Sequence, residues 1–276
     1  MTSQNERAHG VTPALSRDYA ARTAEQQAAF VLPYLRPGMN LLDVGCGPGT
    51  ITLGLAQAVA PGQVTGIDHD PMHVQVARAK SVEQEVDNVS FQMGNAPSLP
   101  FADATFDAAF ENNMLTHLAQ DAVCATREVY RLLKPGGFFA ARDVDAEAVV
   151  WGHWLQPMKQ LDRLFIAWHE SRGSDITIGK RLPAILREAG FRDTVKSVSA
   201  DTKGDPEATR SHAEITVSLL DGPFGRDIVE NGWADRATVE ELKESMRKWG
   251  NHPDAFFANV HVESIGWKPA PTNEEG

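Results

Sequence analysis

The chain has 276 residues, of which 42% are hydrophobic, and a formal net charge of −11. This length allows one large domain with a sizeable core. The acidic balance disfavours a nucleic-acid partner, since proteins that contact phosphates usually present a basic face. No apolar run reaches the roughly 20 residues that span a membrane, and the polar residues 1–10 lack an apolar secretion signal. With only Cys46 and Cys124, we expect no disulfide framework and a cytoplasmic location.

The N-terminal part of the chain predicts a disordered tail followed by a helix. Residues 1–15 are polar and poor in apolar side chains. Apolar residues then recur at helical spacing between Tyr19 and Leu35, ahead of Pro37 and Gly38. We therefore predict an N-terminal helix over residues 16–36.

Beyond residue 36, strands and helices alternate. Apolar runs predict five strands, near 39–45, 63–68, 88–94, 104–111 and 136–143. Amphipathic segments between them predict helices near 50–60, 71–85 and 119–133. Strict alternation favours a parallel sheet with helices on both faces, and ligands then bind at the carboxyl ends of the strands.

The C-terminal half changes character. Helical periodicity fills 151–190 and 205–250, a sixth strand is expected after Gly190 and Phe191, and a last strand at 255–267. We predict one domain over residues 16–276, with a core at 37–145 and helical cap segments at 146–190 and 203–255.

The most informative residues run from Leu41 to Thr50. An apolar strand ends in Gly45, Gly47 and Gly49, and an amphipathic segment follows at once. Such a turn lets a ligand approach bare backbone N–H groups at a helix N-terminus. Asp68 ends the next apolar run, where α/β nucleotide folds place a ribose-binding carboxylate. A nucleoside-containing ligand is predicted, but Thr50 stands where a dinucleotide fingerprint needs its last glycine.

Five motifs in order resemble the class I S-adenosylmethionine (SAM)-dependent methyltransferases, nearest to the type 11 branch that includes quinone-biosynthesis enzymes. The first is the run Asp43-x-Gly45-x-Gly47-x-Gly49. The others are Gly66-Ile67-Asp68, Gly94-Asn95-Ala96 with Leu99-Pro100-Phe101, Phe106–Phe110 and Leu132–Gly137. The resemblance implies a Rossmann-like, doubly wound α/β fold with seven strands in the order 3-2-1-4-5-7-6, the last antiparallel. It also implies SAM as the cofactor.

Carried over motif by motif, the resemblance implies where SAM is held. Asp68 would bind the ribose, and Asn95, in place of the usual Asp, would lie at the adenine edge. In this family a helix before the first strand covers the cofactor, so residues 16–36 would form a lid helix. Its polar residues, with residues after the fourth strand, would meet the methionyl part. The expected cofactor-binding residues are Tyr19, Thr23, Asp43, Gly45, Cys46, Gly47, Asp68, His69, Asn95, Ala96, Asn112 and His117.

Methyl transfer by in-line displacement needs a general base only when the acceptor arrives protonated. Two candidates are His117, after the fourth strand, and Asp143, at the end of the fifth. Each has an ordinary structural alternative: a histidine that hydrogen-bonds its loop, and a carboxylate paired with Arg142. Trp151, His153 and Trp154 are candidates for either a substrate pocket or a core.

The favoured function is methyl transfer to an oxygen, nitrogen or carbon atom of a small molecule. We expect no metal, no nucleic acid and no membrane span, and a homodimer is left open. One alternative is a SAM-binding protein of the same fold that transfers no methyl group, such as a cyclase or a regulatory module. Another is a nicotinamide-dependent oxidoreductase, against which Thr50 and the Asn95-Ala96 pair argue.

Overall fold

The structure is a computed structural model that describes residues 21–153 and 156–270. Its chain divides into two compact units. One, here the core unit, comprises 21–143, 178–198 and 262–270; the other, here the helical unit, comprises 144–153, 156–177 and 199–261. The predicted cap segments 146–190 and 203–255 largely coincide with the helical unit, except that residues 178–190 belong to the core unit.

The described strands form one sheet. They are β1 (Leu41–Val44), β2 (Val64–Asp68), β3 (Val89–Met93), β4 (Phe106–Asn112), β5 (Leu133–Val144), β6 (Val150–Gly152), β7 (Arg192–Lys203) and β8 (Phe256–Trp267). β1 pairs in parallel with β2 and β4, β2 with β3, and β4 with β5. The strand order is β3-β2-β1-β4-β5-β8-β6, with β7 also paired to β8. This confirms the predicted doubly wound order.

One described strand was not predicted. The three-residue β6 pairs antiparallel with the first residues of β8, Val150 opposite Ala258 and Gly152 opposite Phe256. A strand of three residues is too short to show an alternating pattern. The sheet therefore has eight strands where the sequence predicted seven.

The described α-helices follow in chain order. They are α1 (Ala24–Gln27), α2 (Thr50–Val59), α3 (Pro71–Glu83), α4 (Ala122–Leu132), α5 (Gln156–Ser171), α6 (Leu182–Ala189), α7 (Pro206–Asp221), α8 (Pro223–Glu230) and α9 (Arg236–Gly250). The three helices predicted between the first five strands are present as α2, α3 and α4.

The predicted lid helix over residues 16–36 is wrong as a single helix within the described residues. Only α1 and a 3₁₀ turn at Leu32–Tyr34 form there. The chain leaves helical geometry at Ala28, whose φ is −121°. Pro33 further disfavours one continuous helix over residues 16–36, since its ring and missing N–H oppose a helix that runs through it. Residues 16–20 lie outside the described residues.

Apolar side chains cover both faces of the sheet in the core unit. All four residues of β1 are buried, as expected of a central parallel strand. Leu41 packs with α2 on one face, and Leu42 packs with α4 and α6 on the other. Because side chains alternate along a strand, Asp43 shares the face of Leu41 and α2. The strand pattern thus directs this carboxyl towards the first helix.

The helical unit has its own core, built from α5, α7, α8 and α9. Trp168, Phe224 and Trp249 are buried there. Asp205 and Asp235 cap α7 and α9 through backbone N–H groups of the first turn. No helix in the described ranges is both long and apolar enough to cross a membrane.

Candidate active site

The turn after β1 takes the shape that its glycines predict. Gly45, Gly47 and Gly49 have φ values of 79°, 52° and 81°. The N–H groups of Gly45 and Cys46 donate to the carbonyl of Ile67, which fastens the turn to β2. A Cβ at residue 45 would lie 2.7 Å from Met114 Cγ, so the segment after β4 packs against the turn.

Gly47 marks an opening in this turn. Apart from Gly47 itself and its chain neighbours Cys46 and Pro48, no described residue has a heavy atom within 4 Å of the position that a Cβ on Gly47 would take. Cys46 next to it is buried, and burial raises the pKa of its thiol, so the thiol stays neutral and is no nucleophile. Bare backbone beside open space is the arrangement by which glycine turns admit a nucleoside ligand.

Asp68, which the sequence predicts to bind the ribose, lies beside the glycine turn. Its Oδ2 accepts a hydrogen bond from the Gly47 N–H at 2.8 Å, and its Oδ1 accepts one from the Asp70 N–H at 2.9 Å. Burial by itself would raise the pKa of Asp68, but His73 and these two N–H groups outweigh burial and lower it. The group is therefore an anion at neutral pH with lone pairs left for hydroxyl donors.

Two histidines accompany Asp68. Nδ1 of His73 lies 3.5 Å from Oδ1 of Asp68, and the carboxylate raises the pKa of His73. His69, predicted as a cofactor residue, lies 3.4 Å from the same oxygen with its side chain 82% exposed. The sequence prediction missed His73, although its place in the first turn of α3, just past Asp68, is a signal for such a contact.

Asp43, predicted as a cofactor residue, is buried. Its Oδ2 accepts a hydrogen bond from Thr52 Oγ1 at 2.6 Å. Burial raises the pKa of the carboxyl to about 7; the Thr52 bond lowers it and the nearby Asp68 raises it further. Asp43 therefore ties the end of β1 to the first turn of α2. The sequence prediction did not include Thr52.

The predicted adenine-edge residues follow β3. The Gly94 N–H donates to the Asp68 carbonyl, and the Ser98 N–H donates to the Asn95 carbonyl in a tight turn. The Asn95 side chain is exposed and Ala96 is half-buried. The structure thus brings this turn next to the end of β2, with the Asn95 amide accessible to a ligand.

The ends of β4 and β5 carry a buried polar network. Arg142 is fully buried, and its Nη1 donates to Asn112 Oδ1 at 2.9 Å and to Gln27 Oε1 at 2.7 Å. Its Nε lies 3.7 Å from Glu263 Oε1. Arg142 turns to Asn112, Gln27 and Glu263, and Asp143 next to it points to the other face of the strand, because neighbouring side chains of a strand alternate.

Asp143, predicted as a catalytic residue, is fully buried with Glu111. Its Oδ1 accepts a hydrogen bond from the Thr116 N–H at 3.0 Å, and Glu111 Oε2 accepts one from the Met114 N–H at 2.9 Å. Burial, and then the adjoining Asp143 charge, raise the pKa of Glu111 well above its usual range. Through the Thr116 N–H, Asp143 holds the segment that follows β4, and its role as a catalytic residue stays a prediction.

His117 ends a 3₁₀ turn, Leu115–His117, and is exposed. Asp143 and Glu111 therefore fix the backbone that presents this histidine. Thr23 is the residue that precedes α1, and its carbonyl accepts the Gln27 N–H. Tyr19 and Trp154 lie outside the described residues. Trp151 packs against Trp249 and Phe257 within the helical unit, as a core residue would.

These features fit SAM. Gly47 leaves room that a Cβ would fill, and Asp68 offers a buried anion beside it. Asn95 and Asn112 stand at the ends of the flanking strands β3 and β4. Within the described ranges, His, Cys, Asp and Glu form no group of three or more that could hold a metal ion. The doubly wound order with ligand groups at the strand ends defines a Rossmann-like nucleoside-binding protein.

Comparison with known proteins gives the family. The methyltransferase domain family matches residues 35–190. The protein named "Probable methyltransferase ltbC" of Aspergillus luteorubrus is 30% identical over 90% of this chain and 92% of its own length. Demethylmenaquinone methyltransferase of Listeria monocytogenes is 38% identical over 57% of this chain and 71% of its own. The chain belongs to the class I SAM-dependent methyltransferases, on the ubiquinone–menaquinone-like branch.

A solved structure has the same fold. The YcgJ protein of Bacillus subtilis superposes with a TM-score of 0.58 at 20% identity, over 88% of this chain and 98% of its own. The predicted enzyme class and cofactor are confirmed by the family membership: the protein is a SAM-dependent methyltransferase.

Proposed function

We propose that the protein transfers the methyl group of SAM to an oxygen, nitrogen or carbon atom of a small molecule. The observation that carries the proposal is the Asp68 carboxylate, hydrogen-bonded to the open backbone at Gly47. The net charge of −11 supports an acceptor without a phosphate backbone. The relative named for demethylmenaquinone supports a small organic acceptor, quinone-like or a natural product.

The proposed cofactor contacts follow the strand ends. The Asp68 carboxylate accepts hydrogen bonds from the ribose hydroxyls, since it is an anion with free lone pairs. The exposed Asn95 amide meets the adenine edge, beside Ala96. Asn112 meets the methionyl end, together with Thr23 of the N-terminal segment. SAM supplies an electrophilic methyl group when bound.

We propose His117 as the general base for acceptors that carry a proton. It is exposed at the end of a turn whose backbone is held by Asp143 and Glu111. A fixed backbone limits the positions that the imidazole can reach, which is what proton transfer in a defined geometry needs.

The test of methyl transfer is the formation of S-adenosylhomocysteine with a panel of phenols, quinols, amines and carbon acids. We expect turnover with at least one class, and calorimetric binding of SAM without binding of NAD. SAM that binds but is never consumed with the panel would contradict methyl transfer. The His117→Gln variant should lower kcat, whereas Gln120→Ala, a change at an exposed neighbour, should leave kcat unchanged.

The remaining partner predictions are also proposals. Cys46 and Cys124 are both free thiols, which supports a reducing compartment such as the cytoplasm. We propose no nucleic-acid partner, and filter binding with RNA and DNA checks this. Light scattering distinguishes a 30.1 kDa monomer from the homodimer that the sequence leaves open.

A further inference from the structure

The N-terminal segment, residues 21–35, is held in the core unit at two points. At one, Gln27 Oε1 accepts a hydrogen bond from Arg142 Nη1 at 2.7 Å. At the other, Ala24 packs on Gly54 of α2, so closely that a Cβ at residue 54 would lie 2.6 Å from the Ala24 Cβ. The segment therefore contacts α2, which directly follows the glycine turn, and Arg142 of β5.

Arg142 joins this segment to a cofactor residue. The nitrogen that donates to Gln27 also donates to Asn112 Oδ1 at 2.9 Å. A guanidinium Nη carries two hydrogens, so both bonds form at once. Asn112 ends β4, where the proposed site places the methionyl end of SAM. A single buried nitrogen therefore connects Gln27 of α1 to Asn112.

The position of Arg142 is itself fixed. Its Nε lies 3.7 Å from Glu263 Oε1, and the other oxygen of Glu263 accepts a hydrogen bond from Ser197 Oγ. The backbone N–H of Arg142 donates to Glu111 Oε1 at 3.1 Å. Arg142 is 0% exposed and Gln27 is 5% exposed. A buried guanidinium is costly unless it is paired. Loss of one partner of Arg142 therefore also affects its bonds to the remaining partners.

We propose that Arg142 is a positioning residue that ties Gln27 to Asn112, so that docking of the N-terminal segment and binding of the methionyl end of SAM reinforce each other. The inference rests on the proposed cofactor site at Asn112. A ligand that holds the Asn112 side chain in place also holds the Arg142 guanidinium where it can donate to Gln27. By linkage, the factor by which bound SAM strengthens docking of the segment equals the factor by which docking strengthens SAM binding. Loss of the Gln27 bond must therefore weaken SAM binding by that factor.

The test compares two neighbouring glutamines of α1. Gln27→Met removes the acceptor at nearly constant volume, and Gln26→Met makes the same change on the adjacent residue. We expect Gln27→Met to raise the Kd and the KM for SAM about tenfold, with kcat at saturating SAM changed less than about twofold. Gln26→Met should leave all three within about twofold of the wild type.

Hydrogen exchange gives a readout that does not depend on activity. In the wild type, SAM should slow exchange in a peptide covering residues 21–35, and in Gln27→Met this protection should be lost. Gln27→Glu keeps an acceptor for Arg142 and should restore both protection and affinity. Arg142→Lys keeps the charge but loses the planar fork, and should behave like Gln27→Met.

The outcomes separate this inference from the proposed function. If the wild type binds SAM and Gln27→Met binds it equally well with the same protection, the tie to Asn112 is refuted while the cofactor site stands. The tie is equally refuted if Gln27→Met lowers the melting temperature and Gln27→Glu fails to restore affinity. A wild type that does not bind SAM would overturn both.

Discussion

The N–H of Gly47 donates to Oδ2 of Asp68 at 2.8 Å, across 21 residues of sequence. The bond joins the turn after β1 to the end of β2, which are adjacent parallel strands. It holds a buried anion against open backbone, and it lowers the pKa of that anion together with His73 and the Asp70 N–H. The Gly47 backbone and the Asp68 carboxylate, which are proposed to meet the nucleoside, therefore hold each other in place.

Neutralising Asp68 should weaken the binding of SAM. Asp68→Asn keeps an oxygen for the Gly47 N–H but loses the charge that strengthens bonds to ribose hydroxyls, at a cost of about 2 kcal/mol of binding free energy. Calorimetry with SAM measures this loss of binding free energy. Asp70→Asn is the matched control, since asparagine still caps α3 in place of Asp70. Equal affinities for the two variants would remove Asp68 from the site.

A methyl group at residue 47 should block the cofactor without unfolding the protein. Gly47 and Gly38 both have positive φ, 52° and 89°, and apart from the glycine itself and its chain neighbours neither has a described atom within 4 Å of its Cβ position. Alanine at either residue costs backbone strain of about 1 kcal/mol. Only Gly47→Ala should weaken SAM binding, by roughly tenfold or more, because its methyl group occupies the path to the backbone. Similar affinities in both variants would place the ligand elsewhere.

Asp43 should make stability fall as the pH rises. Burial raises its pKa to about 7, so between about pH 4 and pH 7 the folded state holds a proton that the unfolded chain has lost. This contribution, on the order of 4 kcal/mol, is complete below about pH 4 and is lost as the pH rises through about 7. Asp43→Asn cannot titrate, and its free energy of unfolding in urea should decline less between about pH 5 and pH 8. Parallel pH profiles for the variant and the wild type would contradict the assignment.

The contact between Ala24 and Gly54 should behave as a coupled pair. Alanine usually stabilises a helix relative to glycine, by about 1 kcal/mol. Gly54→Ala should instead destabilise the protein, because its Cβ would meet the Ala24 Cβ at 2.6 Å and displace α1. The double variant Ala24→Gly with Gly54→Ala should recover the loss. A double-mutant cycle of unfolding free energies should give a coupling of about 1–2 kcal/mol, and additive effects would show that α1 does not rest there.

The parallel α/β architecture and the nucleoside-binding end could be predicted from local patterns, and the strand order from the family resemblance. Alternating apolar runs and amphipathic segments have a period set by the backbone alone, and the spacing of Gly45, Gly47 and Gly49 determines the turn. Asp68 was predictable because it directly ends a strand whose neighbour carries that turn. The N-terminal helix was overestimated, since apolar spacing up to Leu35 outweighed Pro33 in the prediction.

The sequence by itself therefore determined the α/β order, the glycine turn and the carboxylate that follows β2, because these depend on residues close together in the chain. Tertiary structure decided which polar groups meet across the sheet. It buried Asp143 with Glu111, placed Thr52 on Asp43, and joined Gln27 to Arg142 across 115 residues. Such pairs leave no periodic signal. They form because buried polar groups must find partners, and only the packed sheet and helices decide which partners are within reach.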